Sequence, residues 1–192
     1  MGRRLPVPLT PAEIDRLLQA AAAAIAEAET PARRRAAARD LAMIETGRLS
    51  GLRVSELCSL KIEHLDLDGQ VLPVLRGKGG KDRNLPIADK LLAALSPWIG
   101  ERKTGFLFSG PREKKLSPRT FQVRLDKLAR RAGILKRVHP HQLRHTFATS
   151  YLRIAGNSIR DLQQLLGHAN LQTTAVYLHV DVSRLKAGVD LL

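Results

Sequence analysis

The segment HPHQLRHTFATSYL, residues 139–152, concentrates cationic and titratable side chains at the start of a predicted helix. Pro140 suits the first turn of such a helix, where a missing N–H breaks no hydrogen bond. Residues three apart lie on one helix face, so His141 and Arg144 share a face, and His145 lies a further turn along. Free N–H groups and the positive dipole end beside that face favour phosphate binding. The alternative is a basic helix whose charged residues only meet solvent.

These histidines also raise the question of a metal site, because His141 and His145 are four residues apart. No glutamate follows His141, however, and no cysteine or carboxylate cluster completes a set of ligands in the sequence. The sequence therefore predicts neither a metal nor another cofactor. His139 and His145 remain outside the predicted chemistry, and we expect His145 to be structural.

Three further segments carry residues that suit phosphate chemistry. In SGLRVSEL, Arg53 follows a glycine turn at a helix start; the alternative is an exposed Arg53–Glu56 ion pair of little energetic weight. In RGKGGKDR, Lys78 lies at a predicted hairpin tip, which could also be only a flexible charged turn. In LLGHANLQTTAVYLHV, His168 ends a helix and Tyr177 follows nine residues later. Their alternatives are a histidine favoured by the helix dipole and a half-buried core tyrosine.

The charge balance indicates a polyanionic partner. The 192 residues include 32 Lys and Arg against 18 Asp and Glu, giving a net charge of +14. Such an excess favours nucleic acid, because neutralising phosphates releases counterions. A membrane surface is the rival partner, but the sequence has no basic amphipathic helix with bulky aromatic residues. Only seven aromatic residues argue against a single-strand binder that stacks bases.

Length and periodicity predict one domain with an α+β fold, mainly α-helical, with one small antiparallel sheet or hairpin. Helices should begin at capping boxes or proline turns and end at glycines. In the N-terminal half the sequence predicts a helix that begins at Thr10 and Pro11, a second over about 32–49, a third that begins near residue 54, and a hairpin within 68–87. In the C-terminal half it predicts four helices: one over 88–99, one capped by Ser117, one with Pro140 in its first turn, and one that ends at Gly167.

The remaining features concern compartment and domain limits. Cys58 is the only cysteine, so no internal disulfide can form, which suits a reducing cytoplasm. No apolar run approaches the ~18 residues of a membrane span. The N-terminus is positively charged like that of a signal peptide, but no apolar run follows these charges. We expect a cytoplasmic protein with no membrane contact, in which residues 1–8 are a tail or linker stub and residues 9–192 one domain.

The order Arg, Lys, His-x-x-Arg, His, Tyr resembles the catalytic domain of the tyrosine site-specific recombinases, or phage integrase family, close to its Xer-like branch. It is carried by TGRLSGLRVSELCSLK, GKGGKDRNLPI, HPHQLRHTFATSYL and LLGHANLQTTAVYLHV, and the resemblance covers about residues 9–181. It implies the DNA breaking–rejoining fold. It also implies an enzyme that cleaves and rejoins duplex DNA through a 3′-phosphotyrosyl intermediate, for integration, excision, inversion or dimer resolution.

The resemblance assigns six catalytic positions. Arginines of this kind hold the scissile phosphate and stabilise the transition state, a tyrosine is the nucleophile, and a lysine protonates the leaving 5′-oxygen. One histidine assists proton transfer at the tyrosine and the second hydrogen-bonds the phosphate. The positions are Arg53, Lys78, His141, Arg144, His168 and the nucleophile Tyr177, with Glu56 as a supporting residue that orients Arg53.

Two residues compete for these roles. Tyr151 is the only other tyrosine, but it lies seven residues beyond Arg144, about 10 Å farther along a helix axis, which argues against it as the nucleophile. Lys81 competes with Lys78 on the same hairpin tip, and the family pattern favours the lysine between two glycines.

The resemblance also implies partners. They are double-stranded DNA, further copies of the chain in a tetrameric synapse, and accessory DNA-bending or regulatory proteins. Most family members carry a core-binding domain ahead of the catalytic domain. We predict that this chain lacks it, either as a fragment of a longer protein or as a compact member without that domain. The alternatives are a non-catalytic DNA-binding regulator on the same fold and a type IB topoisomerase-like enzyme that relaxes DNA.

Overall fold

The computed structural model describes residues 7–75, 82–154 and 158–167. These residues form seven α-helices, two short 3-10 turns and two strands. In chain order the helices are α1 (Pro11–Ala26), α2 (Pro31–Ser50), α3 (Val54–Leu57), α4 (Asp89–Ile99), α5 (Pro118–Arg131), α6 (Pro140–Arg153) and α7 (Ile159–Leu166), and the strands are β1 (Val71–Val74) and β2 (Arg83–Pro86). The predicted mainly helical α+β architecture is confirmed.

The helix starts follow from local side-chain chemistry. At α1, Thr10 Oγ1 accepts a hydrogen bond from Glu13 N at 3.2 Å, and the Glu13 carboxylate accepts from Thr10 N at 2.8 Å. This is the predicted capping box. Ser117 caps α5 in the same way, accepting from Thr120 N at 3.0 Å. Because these bonds join residues three apart, the sequence alone is enough to predict them.

The two strands form the predicted hairpin. They pair antiparallel, with Val71 opposite Pro86 and Val74 opposite Arg83. Alternate residues of both strands, among them Leu72 and Leu85, are buried against the helices. Arg83, the first residue of β2, is therefore fixed next to the core. Residues 76–81, which include Lys78 and Lys81, lie outside the described residues.

Helix α2 is the central element, since α1, α4 and α6 all pack against it. Its buried residues Met43 and Ile44 belong to one large apolar core that also holds Phe108 and Phe121. The short apolar piece 106–108 enters this core as a loop, where Leu107 N donates to Leu60 O at 2.8 Å. Among the described residues, no helix is long and apolar enough to cross a membrane.

A charged cluster joins α2 to α5 inside this packing. Asp40 and Arg39 are buried and paired at 3.1 Å, and Arg124 of α5 also donates to Asp40. Arg39 Nη1 donates to the carbonyl of Ser109 at 3.0 Å. Burial raises the pKa of Asp40, and the two arginines oppose that effect. Arg39 and Arg124 therefore offset part of the free-energy cost of burying the Asp40 charge.

Candidate active site

The first part of the candidate site is the turn between α2 and α3. Gly51 adopts a left-handed conformation with φ +63°, and a Cβ there would lie 2.4 Å from Phe147 Cδ1. Only glycine fits such a position without displacing its neighbours. The turn places Arg53 at the N-cap position of α3.

Arg53 is hydrogen-bonded to Glu56, and the pair is not the exposed ion pair that the sequence left open as an alternative. Arg53 Nη1 lies 2.9 Å from Glu56 Oε1, and Arg53 N donates to Glu56 Oε2 at 2.8 Å. The Glu56 side chain is only 6% exposed. A buried carboxylate pairs more strongly with its cations than a solvent-exposed one, because water screens the charges less.

A second arginine, Arg83, completes the pairing of Glu56 and was not among the predicted site residues. Its Nη1 donates to Oε1 at 3.0 Å and its Nη2 to Oε2 at 2.9 Å, a bidentate contact. Burial alone would raise the pKa of Glu56. The hydrogen bonds from Arg83 and from the backbone and side chain of Arg53 outweigh that effect and lower the pKa to about 2. Glu56 is therefore an anion at every physiological pH.

The C-terminal end of α7 is where three arginines meet. A helix end exposes carbonyl groups that have no partner within the helix and carries the negative end of the dipole, so guanidinium groups bind there favourably. The bonds are Arg83 Nε to Leu165 O at 3.0 Å, Arg144 Nη2 to Leu166 O at 2.9 Å and Arg53 Nη2 to Gly167 O at 3.0 Å. The helix ends there because Gly167 is left-handed, with φ +62°.

Helix α6 supplies Arg144 and His141. Arg144 is 3% exposed, and its Nη1 donates to Gly51 O at 2.7 Å, so α6 is tied to the turn that precedes Arg53. His141 is exposed at the first turn of α6. Partial desolvation, with the positive charges of Arg144 and His139 added to it, lowers the pKa of His141. A neutral imidazole can accept a proton, which suits a role in acid–base chemistry.

The N-terminal half of α6, which carries His141 and Arg144, is also held by the chain that precedes α1. Leu9 N donates to Thr146 Oγ1 at 2.9 Å, and the Gln142 amide donates to Val7 O at 3.2 Å. His145 is buried at 7% exposure, in agreement with its predicted structural role. These contacts fix the register of α6, and with it the position of Arg144.

The described residues thus bring together Arg53, Glu56 and Arg144 of the predicted site, with His141 beside Arg144. Lys78, His168 and Tyr177 lie outside the described residues, as does the competing Lys81. Arg83 escaped prediction because a single arginine at the start of a short strand does not differ from a surface residue in sequence. Its partners are 27 and 82 residues away.

This arrangement can bind a phosphate group. Within the described ranges, the Arg53 guanidinium uses Nη1 and Nη2 for protein acceptors, yet its side chain is 24% exposed. A guanidinium has five N–H donors, so Arg53 has donors left for an anion at the surface. The fixed Arg144 beside the same helix end adds positive charge. The geometry therefore suits charge stabilisation at a phosphate more than metal coordination.

Comparison with known proteins agrees with this description. Residues 8–184 match the phage integrase family. Tyrosine recombinase XerC of Xanthomonas campestris pv. campestris (strain B100) is 43% identical over 157 residues, which cover 79% of this chain and 48% of that protein. XerC of Xylella fastidiosa (strain M23) is 43% identical over 155 residues, covering 79% and 52%. The chain thus spans about half the length of the curated relatives it matches.

Solved structures show the same architecture. The XerA recombinase superposes with a TM-score of 0.78 at 34% identity, over 100% of this chain and 65% of that one. The XerH site-specific recombinase, bound to its palindromic difH substrate in a post-cleavage complex, superposes with a TM-score of 0.73 at 26% identity, over 97% and 53%. The predicted tyrosine-recombinase catalytic fold is confirmed. The chain belongs to the phage integrase family.

Proposed function

We propose that this chain is a site-specific DNA recombinase that cleaves and rejoins duplex DNA through Tyr177. The observation that carries the proposal is the shared frame of Arg53 and Arg144. Both guanidinium groups bond the end of α7, and Arg144 also bonds Gly51, two residues before Arg53. Two guanidinium groups that bond the adjacent carbonyls Leu166 O and Gly167 O would be able to contact the non-bridging oxygens of one phosphate.

Charge stabilisation is the central demand of this reaction. Uncatalysed phosphodiester cleavage is among the slowest biological reactions, so the barrier must fall by on the order of 20 kcal/mol. Arg53 and Arg144 would neutralise the charge that develops on the equatorial oxygens of the pentavalent phosphorus. Because protein hydrogen bonds hold both side chains before DNA binds, little reorganisation is needed at the moment of reaction.

Strand cleavage would exchange one phosphoester bond for another. The Tyr177 oxygen attacks phosphorus, a 3′-phosphotyrosyl bond forms, and the bond to the 5′-oxygen breaks. Lys78 would give a proton to that leaving oxygen, and His141 would assist removal of the tyrosine proton. His168, the residue after Gly167, would hydrogen-bond the phosphate. Attack by a new 5′-hydroxyl reverses these steps, so rejoining needs no ATP.

Duplex DNA is the proposed partner, in keeping with the net charge of +14. The relative XerH is bound to difH DNA in its solved complexes, and we extend that partner to this chain. We further propose one catalytic domain over residues 9–192, preceded by a short tail at 1–8. Assembly of four copies on two DNA sites would pair the strands for exchange.

A covalent-trap assay tests the proposal. Labelled DNA from the regions flanking the gene carries a nick a few nucleotides 3′ of each candidate cleavage position, so that the short fragment with the new 5′-hydroxyl diffuses away after cleavage. This DNA is incubated with the chain and run on a denaturing gel. We expect a labelled protein band for the wild type and none for Tyr177→Phe. Tyr151→Phe is the matched control, because it removes the other tyrosine hydroxyl and should keep the band.

Three results would count against the proposal. A band that persists in Tyr177→Phe would place the nucleophile elsewhere. Intact DNA binding with no band from any flanking sequence would favour a non-catalytic regulator. Relaxation of supercoiled plasmid at low protein concentration, with no preference for sequence, would instead indicate a type IB topoisomerase-like enzyme.

A further inference from the structure

We propose that Arg83 is a positioning residue for the reaction, which holds Glu56 and through it keeps Arg53 aligned with Arg144. This inference rests on the proposed function. It assigns to β2 a part in the site that is separate from the role proposed for Lys78.

The geometry places Arg83 at the junction of three elements. Its three side-chain nitrogens bond Glu56 Oε1, Glu56 Oε2 and Leu165 O at 3.0, 2.9 and 3.0 Å. It therefore joins β2 to α3 and to the end of α7. A Cβ on Gly167 would lie 3.0 Å from Arg83 Nη1, so the left-handed glycine also leaves room for this side chain.

Glu56 links the two arginines. Each of its oxygens accepts one hydrogen bond from Arg53 and one from Arg83. A planar carboxylate with two donors per oxygen has one preferred orientation, and that orientation sets the direction from which Arg53 Nη1 approaches. If Arg83 were lost, Glu56 would be free to rotate toward Arg53, and the bond from Arg53 Nη2 to Gly167 O would be strained or broken.

Arg83 acts through its neighbours and not on DNA. Its Nε, Nη1 and Nη2 all bond protein acceptors, two of them the oxygens of Glu56, so the guanidinium is committed to the carboxylate that holds Arg53. A lysine at position 83 would supply the charge but only one nitrogen, so it could not bond both carboxylate oxygens and Leu165 O together. Charge and geometry can thus be separated by substitution.

The experiment measures the single-turnover rate of covalent-complex formation and DNA affinity for Arg83→Gln and Arg83→Lys. Misplacement of a reacting group by about 1 Å or less is enough to slow cleavage by about 10- to 100-fold. We expect that loss for Arg83→Gln, with DNA affinity within about threefold, and partial recovery for Arg83→Lys. Arg102→Gln is the matched control, because Arg102 also caps a helix end through Trp98 O and Ile99 O.

A double-mutant cycle separates positioning from independent action. If Arg83 acts through Glu56, Arg83→Gln should slow cleavage by less than about twofold in a Glu56→Gln background. Losses that multiply would overturn the proposal. So would an unchanged rate in folded Arg83→Gln, or equal losses of rate and affinity.

A carboxyl NMR titration of Glu56 keeps this test independent of cleavage. The pKa of Glu56 should rise in both Arg83 variants, more in Arg83→Gln, and stay near its wild-type value in Arg102→Gln. An unchanged pKa would overturn the proposed contact even if the wild type cleaves DNA. A wild type that forms no covalent complex would reject the proposed function, and the titration would still decide whether Arg83 orients Glu56.

Discussion

Arg144 Nη1 donates to the carbonyl of Gly51 at 2.7 Å, across 93 residues of sequence. This bond ties the helix that carries His141 and Arg144 to the turn that presents Arg53. The two arginines of the site therefore cannot move independently. A change in the backbone at Gly51 should therefore disturb the positions of both arginines.

Gly51→Ala should disrupt this frame. The substitution forces an alanine into a left-handed conformation and puts its Cβ 2.4 Å from Phe147 Cδ1. We expect a destabilisation of about 2–4 kcal/mol, from backbone strain plus overpacking, measured by denaturant unfolding. Gly133→Ala is the control, because Gly133 has φ +68° with no atom within 4 Å of its Cβ position; it should lose only the backbone strain, about 1–2 kcal/mol. Equal losses in the two variants would refute the steric explanation.

The Glu56 carboxylate should make stability depend on acid pH. Its pKa is about 2 in the folded chain against an ordinary value of 4.5. A lowered folded-state pKa stabilises the fold above pH 4.5, and this contribution, on the order of 3 kcal/mol, disappears as pH falls from 4.5 to about 2. Unfolding free energies measured across that window should fall less steeply for Glu56→Gln than for the wild type. Glu101→Gln, at an exposed site, should follow the wild-type curve.

His141 should set the acid limb of the cleavage rate. Its lowered pKa keeps the imidazole neutral at pH 7, and protonation at lower pH would remove its ability to accept a proton. The single-turnover rate of the wild type should therefore fall with an apparent pKa below the 6.5 of an ordinary histidine. This limb should vanish in His141→Gln and persist in His64→Gln, where an exposed histidine is replaced. An identical limb in His141→Gln would assign it to another group.

The buried carboxylate Asp40 should matter for stability and not for chemistry. Its side chain is 4% exposed between Arg39 and Arg124, and removing it leaves two cations uncompensated. Asp40→Ala should lower the unfolding free energy by about 3–5 kcal/mol. Asp126→Ala, which removes an i,i+4 pair with the exposed Arg130, should lose no more than about 1 kcal/mol. A small effect at Asp40 would show that packing alone holds α2 against α5.

The sequence was sufficient to predict elements whose determinants are local. The capping box at Thr10 and the serine cap at Ser117 act within three residues, and the glycine ends at 51 and 167 follow from backbone conformation. Turn residues at 68–69 and a Gly/Lys turn between two extended runs were enough to identify the hairpin. The resemblance then indicated Arg53 and Arg144 together, which no local pattern could do.

The burial of the Arg53–Glu56 pair could not be predicted in this way. Glu56 is paired with both Arg53 and Arg83, and these arginines in turn bond the end of α7. Their partners at α7 lie 114 and 82 residues away along the chain. A motif in a single sequence does not show which distant residues come into contact. The same reason hid Arg83, whose part in the site depends on tertiary structure alone.

Identification of the amino acid linked to DNA tests the central claim most directly. The trapped complex would be digested with trypsin and nuclease, and the peptide that keeps a nucleotide linked through its 3′-phosphate would be identified by mass spectrometry. The account predicts the peptide of residues 161–184, which contains Tyr177. Modification of residues 145–153, which contain Tyr151, would contradict it, as would attachment through a residue other than tyrosine.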